Sequence, residues 1–166
     1  NDFSVKESTK AAYDLASEGI TLLKNDGILP LKKGAKVSFM GEKCRKFLTS
    51  GEGSAVVITD RFTSLYEEAK KITGEENTSF GEIRDDADLV VIAAGKTSSE
   101  GTDHVSMDFP PEELNMLRDA YAQAKQKNKK VLFILNSSGP LDVREFIKST
   151  DAMMWVYYPG QEGGKV

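Results

Sequence analysis

Residues 89–94 restrict the fold of this chain more than any other stretch. All six are apolar (Leu-Val-Val-Ile-Ala-Ala), and the polar segment 95–104 follows them directly. A continuous apolar run of this length is typical of a parallel strand that is covered on both faces, because a half-exposed antiparallel strand alternates apolar and polar residues. The run therefore predicts a central strand of an α/β sheet.

The rest of the chain alternates between strand and helix patterns. Strands are predicted at residues 36–41, 130–136 and 153–158, with a weaker one at 78–80, and the segment 28–31 is an extended connector. Apolar side chains at helical spacing predict three helices with the stripes Ala12, Leu15, Ala16, Gly19, Ile20, Leu23; Phe62, Leu65, Tyr66, Ala69, Ile72; and Leu114, Leu117, Tyr121, Ala124. A short helix is expected at 143–148 and a helical turn near Ile83. This alternation predicts an α/β fold, with a mostly parallel sheet sandwiched by helices on both faces.

Two long polar loops are predicted at one edge of this sheet. The loop after residues 89–94 carries Glu100 among the small residues Ser98, Ser99 and Gly101, and a helix is expected to begin near Pro110. The excursion 42–60 follows the strand at 36–41. Carboxyl ends of parallel strands share an edge, and ligands of open α/β sheets usually bind there. Glu100 is therefore a candidate functional residue, whereas a surface glutamate that is merely solvated is the ordinary alternative.

Composition excludes several classes of function. The 166 residues carry a net charge of -4 without a block of Lys or Arg, so neither nucleic acid nor an anionic membrane is expected as a partner. A neutral ligand fits better. One cysteine and one histidine exclude a disulfide framework, a two-histidine metal site and a histidine-based catalytic triad, so no metal is expected. The single thiol, Cys44, is expected to be buried or idle.

Two glycine-rich stretches are weak motifs. Residues 51–54 (Gly-Glu-Gly-Ser) resemble a phosphate-binding loop, but they lack the Gly-Lys-Ser/Thr ending and lie about ten residues past the strand, so a flexible cleft wall is the better interpretation. Residues 159–166 are typical of a strand-to-helix loop. The expected helix would begin where the chain stops, so the sheet is expected to be truncated after its last recognisable strand. Residues 1–166 are thus interpreted as one domain, incomplete at its C-terminal end.

Several stretches together resemble one known family. The sequence Ala-Ser-Glu-Gly-Ile-Thr-Leu-Leu-Lys-Asn-Asp-Gly-Ile-Leu-Pro-Leu at 16–31 is similar to the opening of the C-terminal α/β-sandwich domain of family 3 glycoside hydrolases, the β-glucosidase group. The similarity continues at 51–54, 87–91, 99–103, 131–139 and 158–164, and its specific signals are Leu-Leu-Lys-Asn at 22–25 and Pro-Gly-Gln-Glu-Gly-Gly at 159–164. It spans nearly the whole chain.

The resemblance implies a division of catalytic work between two domains. In that family a (β/α)8 barrel carries an aspartate nucleophile, and the sandwich domain commonly lends a glutamate as general acid/base; that glutamate corresponds to Glu100. Asp103 matches the aspartate of the same motif and becomes a substrate-binding candidate, although His104 replaces the arginine often found next. The loop 43–54 corresponds to a wall of the leaving-group subsite, where Phe47 is the candidate stacking residue. No cofactor is implied.

These implications define the expected function and its alternatives. The expected activity is hydrolysis of terminal non-reducing β-D-glucosyl residues by a retaining exo-acting β-glycosidase, with a β-glucoside or related oligosaccharide as substrate and the barrel domain of the same protein as partner. A β-xylosidase or another β-glycosidase of the family is one alternative. A non-catalytic domain that binds sugars or another protein is a second. Because the nucleophile is expected outside this chain, residues 1–166 alone are expected to be inactive.

Overall fold

The fold is organised around one β-sheet. A computed structural model describes residues 4–59 and 61–166, and within them the sheet has six strands. Their bounds are β1 Thr21–Asn25, β2 Val37–Met40, β3 Thr78–Phe80, β4 Leu89–Lys96, β5 Lys130–Ser137 and β6 Ala152–Trp155. The strand order is β1-β6-β5-β4-β2-β3, and every neighbouring pair is parallel except β1 with β6. The predicted α/β fold with a mostly parallel sheet is confirmed.

The described residues contain three α-helices, α1 Val5–Gly19, α2 Leu65–Thr73 and α3 Pro111–Gln126, of which α2 and α3 pack on the sheet. Each begins at a recognisable start signal. The Ser4 and Glu7 side chains form a reciprocal capping box at α1, and the Ser64 hydroxyl accepts from Glu67 N at α2. In α3, Pro111 occupies the first turn, where a missing N–H costs nothing. The helix predicted near Pro110 is confirmed.

The two faces of the sheet bury separate apolar clusters, which explains the unbroken apolar run in β4. Val90, Ile92 and Ala94 pack with Phe133 and the inward face of α3, whose buried residues are Leu117, Ala120, Tyr121 and Ala124. The alternate residues Leu89, Val91 and Ala93 pack on the opposite face with Phe39, Ile134 and α2 residues Leu65, Tyr66 and Ala69. Fully burying a Leu, Val or Ile side chain contributes about 1.5–3 kcal/mol, so cover on both faces lets alternate apolar residues of β4 all add to stability.

The first helix ends earlier than its apolar stripe predicts. Helix α1 stops at Gly19, Ile20 is extended, and Leu23 lies in β1. Of the stripe within α1, Ala16 is buried, whereas Leu15 is 73% exposed. Pairing of β1 with β6 determines the structure here: both strands gain ladder hydrogen bonds, with a bulge between Leu22 and Lys24.

Other predicted elements are shorter than their patterns suggest. Helix α2 begins at Leu65, so Phe62 precedes it, and Ile72 is 79% exposed. The helix expected at 143–148 is a turn followed by the 3-10 helix Ile147–Ser149, and Ile83 is buried without a helical turn around it. Strand β6 stops at Trp155 because Tyr157 has a φ of 50°, which an extended strand does not allow.

Cys44 is part of the core. Its thiol is fully buried and donates to Met40 O at 3.3 Å, and burial raises the pKa of Cys44 to about 12. The thiol therefore stays protonated and unreactive at neutral pH, because the thiolate is the reactive form. Across residues 4–59 and 61–166, no helix is long and apolar enough to span a membrane.

Candidate active site at the carboxyl edge of the sheet

Glu100 stands at the carboxyl edge of the sheet with its side chain exposed to solvent. It lies in the β4–α3 loop, residues 97–110. The β2–α2 loop, residues 41–64, leaves the same edge because β2 and β4 are parallel neighbours in a register that pairs Met40 with Ile92. Asp60 of that loop lies outside the described residues. The predicted placement of both loops at one edge is confirmed.

The two loops are joined by hydrogen bonds of backbone and side chain. Glu52 N donates to Ser98 O at 2.9 Å, and Glu52 forms a parallel bridge with Ser99. The Thr97 hydroxyl donates to Glu52 Oε1 at 3.1 Å. An added Cβ on Gly51 would lie 3.3 Å from Ser98 O, so glycine allows this close approach. Residues 51–54 thus form a fixed wall beside Glu100, where the sequence predicted a flexible one.

A tight turn presents the Glu100 carboxylate. Thr102 N donates to Ser99 O at 3.3 Å, which closes a turn with Glu100 and Gly101 at its centre. Gly101 has a φ of 76°, a conformation that a residue with a Cβ adopts with difficulty. The Ser54 hydroxyl reaches across from the β2–α2 loop and donates to Glu100 Oε2. One carboxylate oxygen therefore has a protein partner, and the other is left for a ligand.

Hydroxyl groups anchor the root of the β4–α3 loop to the neighbouring strand ends. Ser98 Oγ lies 2.7 Å from Ser138 Oγ and 3.0 Å from the Tyr158 hydroxyl, which also donates to Lys96 O at 3.4 Å. No sequence motif indicated these contacts. Together these hydroxyls tie the loops after β4, β5 and β6 to one another.

Asn136, near the end of β5, also joins neighbouring loops, and it does so from within the core. Its side chain is fully buried; Oδ1 accepts from Leu48 N at 2.6 Å, and Nδ2 donates to the carbonyls of Leu48 at 3.1 Å and Tyr157 at 2.6 Å. Gly95 lies against the Asn136 backbone, where an added Cβ would meet its carbonyl oxygen at 1.8 Å. The amide therefore joins the β2–α2 loop and the chain after β6 to the edge of the sheet.

An ion pair lies behind the two loops. Lys43 Nζ is 3.3 Å from Glu113 Oε1, and Glu113 Oε2 accepts from Gly95 N at 3.1 Å. Both side chains are largely buried, at 19% and 14% exposure. Glu113 thereby fixes the start of α3 against the end of β4 and the start of the β2–α2 loop. As an acidic residue in the first turn of α3, Glu113 also favours the helix start.

Phe47 is not available as a stacking platform. Its side chain is 6% exposed and packs in the core cluster that contains Cys44, Val91 and Val156. A sugar stacks only on an aromatic ring with an open face, so the prediction that Phe47 contacts substrate is wrong. The motif around it is polar and charged, and an aromatic residue in such a loop gains more from burial than from exposure.

Asp103 and His104 lie past the tight turn, and both are exposed. An aspartate beside a turn can hold its loop by accepting hydrogen bonds from nearby backbone N–H groups. In the part of the chain that the structure describes, no such bond is made, and the Ser99–Thr102 backbone contact closes the loop instead. The same described residues contain no group of three or more His, Cys, Asp or Glu placed to hold a metal ion.

Residues 20–166 match the family model described as glycosyl hydrolase family 3 C-terminal domain. Probable β-D-xylosidase 6 of Arabidopsis thaliana is 30% identical over 189 residues, which cover 99% of this chain and 23% of that protein. Thermostable β-glucosidase B of Acetivibrio thermocellus is 28% identical over 179 residues, with 93% and 23% coverage.

A solved structure shares the fold. The β-glucosidase 3B of Thermotoga neapolitana, in complex with α-D-glucose, superposes with a TM-score of 0.81 at 20% identity, covering 98% of this chain and 28% of that one. The chain thus spans 23% of the length of each of the two sequence relatives. The family resemblance read from the sequence is confirmed. Because the family match covers residues 20–166 of 166, the chain belongs to glycosyl hydrolase family 3 and corresponds to its C-terminal domain.

Proposed function

We propose that this domain is part of a retaining exo-acting β-glycosidase that removes terminal non-reducing β-D-glucosyl residues. In this enzyme Glu100 is the general acid/base. The observation that carries the proposal is the placement of Glu100. Its carboxylate is exposed at the carboxyl edge of the sheet, in a tight turn, with Ser54 holding one of its oxygens. A carboxylate held in this way can reach a substrate bound between this domain and a neighbouring one.

The retaining mechanism explains why one carboxylate is enough for this domain. Such enzymes place two carboxyl groups about 5–5.5 Å apart: one attacks the anomeric carbon, and the other protonates the leaving oxygen and then takes a proton from the attacking water. Glu100 supplies the second group. The nucleophile is an aspartate of a (β/α)8 barrel domain outside these 166 residues. Closure of the two domains excludes water from the reacting groups.

The β2–α2 loop supplies part of the leaving-group subsite. Directly after Ser54 and Ala55, the apolar side chains of Val56, Val57 and Ile58 are 55%, 58% and 94% exposed. They offer the open apolar surface that Phe47 does not. Asp103, exposed beyond the turn, is the substrate-binding residue whose carboxylate accepts hydrogen bonds from sugar hydroxyls.

A β-xylosidase is the second candidate, because a probable β-D-xylosidase is 30% identical over nearly the whole chain. Measuring kcat/KM of the full-length protein for p-nitrophenyl β-glucoside and p-nitrophenyl β-xyloside distinguishes the two candidates. We expect the glucoside to have the higher kcat/KM. We also expect NMR to show the β-anomer of the sugar as the first product. Initial formation of the α-anomer would contradict a retaining mechanism.

The isolated chain is expected to be inactive. Without the barrel nucleophile, Glu100 has no partner with which to form and hydrolyse a glycosyl-enzyme intermediate. Purified residues 1–166 should release no nitrophenol from either aryl glycoside above the blank, while the full-length protein at equal concentration does. Turnover by the isolated chain that Glu100→Ala abolishes would show that both carboxylates reside in this domain.

A further inference from the structure

Beyond assigning Glu100, we propose that Ser54 is the positioning residue that determines which oxygen of Glu100 transfers the proton. This inference rests on the proposed function of Glu100. The Ser54 hydroxyl donates to Oε2, and Glu100 Oε1 has no hydrogen-bond partner among the described residues. The transferable proton is thereby confined to Oε1, the oxygen left to face substrate.

Local backbone contacts hold the segment around Ser54. Ser54 lies in the 3-10 helix Gly53–Ala55, where Val56 N donates to Gly53 O at 3.3 Å. Gly53 has a φ of 69°, and an added Cβ there would lie 3.4 Å from Ser99 Oγ and 3.9 Å from Glu100 N. The hydroxyl is therefore carried by a turn that lies close to the backbone of Glu100.

A donated hydrogen bond to Oε2 suits both steps of a retaining reaction. In the first step the proton leaves Glu100 Oε1 for the glycosidic oxygen as the bond from that oxygen to the anomeric carbon breaks. In the second, Oε1 takes a proton from the water that attacks the glycosyl-enzyme. Oε2 accepts from Ser54 in both states, as carbonyl oxygen of the protonated group and as carboxylate oxygen after transfer. The proton thus leaves and returns at the same atom.

The contact connects two parts of the chain that are otherwise joined through Glu52. Within the described residues, the Ser54 side chain makes no other hydrogen bond, whereas Glu52 and Thr97 hold the loops together without it. Removing the hydroxyl should therefore leave both loops in place. The carboxylate alone would become free to rotate.

The test uses the full-length protein and two substrates. We expect Ser54→Ala to lower kcat/KM for a β-linked disaccharide about ten-fold or more, because its poor leaving group depends on a well-placed acid. An activated dinitrophenyl glycoside, which leaves without protonation, should change less than about two-fold on the same grounds. Ser54→Thr, which keeps the hydroxyl, should recover most of the disaccharide rate. Ser106→Ala, a serine of the β4–α3 loop that bonds to Asp108 N instead, is the matched control.

A double-mutant cycle separates positioning from structural damage. In a Glu100→Ala background, Ser54→Ala should add no further loss on the disaccharide, because residues that act through one group are not additive. Equal losses on both substrates, a failure of Ser54→Thr to recover activity, or an additive loss in the cycle would overturn the role of Ser54 while leaving Glu100 as acid/base. If Glu100→Ala itself spares the disaccharide rate, the proposed function fails, and the role of Ser54 fails with it.

Discussion

Glu100→Ala in the full-length protein should lower kcat/KM for a natural β-linked disaccharide by about 100- to 10,000-fold, the usual contribution of a general acid/base. The sugar alkoxide that leaves from a disaccharide is strongly basic, so bond cleavage requires proton donation in the transition state. Glu100 is proposed to be that donor. The measurement is steady-state release of monosaccharide by wild type and variant.

The same variant should behave differently with an activated aryl glycoside. A dinitrophenolate leaves without protonation, so kcat/KM, which reports the first step, should fall less than about ten-fold. Hydrolysis of the glycosyl-enzyme still needs a base, so kcat should fall and KM should fall with it as the intermediate accumulates. A burst of aryl release before the slow steady state is the kinetic signature.

Glu52 is the alternative candidate for the general acid/base, so it is the control for the Glu100→Ala experiment. It is exposed on the facing loop and accepts from the Thr97 hydroxyl, and Glu52→Gln preserves that hydrogen bond while removing the charge. We expect this variant to keep the disaccharide rate within about three-fold, as is usual for a surface change outside the chemistry. A steep loss in Glu52→Gln together with a normal rate in Glu100→Ala would transfer the acid/base role to Glu52.

Asn136→Ala is expected to destabilise the domain by about 2–4 kcal/mol, since three partly buried backbone groups lose their partner and each such loss costs about 1 kcal/mol or more. The substitution removes all three hydrogen bonds of the amide, to Leu48 N, Leu48 O and Tyr157 O. At about 2–4 °C per kcal/mol for a domain of this size, the melting temperature should fall by roughly 4–16 °C. Urea denaturation of the purified chain measures the free energy.

Two comparisons show whether the hydrogen bonds carry this effect. Asn115 is exposed on α3, so Asn115→Ala should change stability by less than about 0.5 kcal/mol. Asn136→Asp keeps the shape but turns a second acceptor toward two carbonyls, which raises the pKa of the introduced carboxyl when folded. A raised folded pKa gives stability that is present at acidic pH and lost as pH rises, so this variant should be less destabilised at acidic than at neutral pH. Equal stability of Asn136→Ala and Asn115→Ala would contradict the role of the amide.

The central elements of the fold could be predicted because their residues respond to local rules. The predictions of β4, β5 and the start of α3 at Pro111 agree with the structure. Burial on both faces requires a continuous apolar run, and a helix start favours proline, so both features can be recognised in the sequence. Strand β1 was missed for the opposite reason. Leu22 and Leu23 are 52% and 50% exposed, so β1 has no alternation of buried and exposed residues that would predict a strand. It is a strand because it pairs with β6.

The site was predictable only in part, because its contacts join distant residues. Glu100 was singled out by its place after a buried strand and by the family motif around it. The Ser54 hydrogen bond spans 46 positions and the Asn136–Leu48 bonds span 88, and no spacing rule links residues so far apart. Phe47 was misassigned because a loop sequence does not show which of its residues turn inward.

Chemical rescue of Glu100→Ala by azide tests the central claim most directly. In the full-length variant with an activated aryl glycoside, azide should occupy the space left by the carboxylate and attack the glycosyl-enzyme without a general base, which raises kcat. The predicted product is the β-glycosyl azide, because two displacements at the anomeric carbon preserve its configuration. An unchanged kcat with no glycosyl azide formed, alongside a disaccharide rate equal to that of wild type, would contradict the assignment of Glu100 as the acid/base.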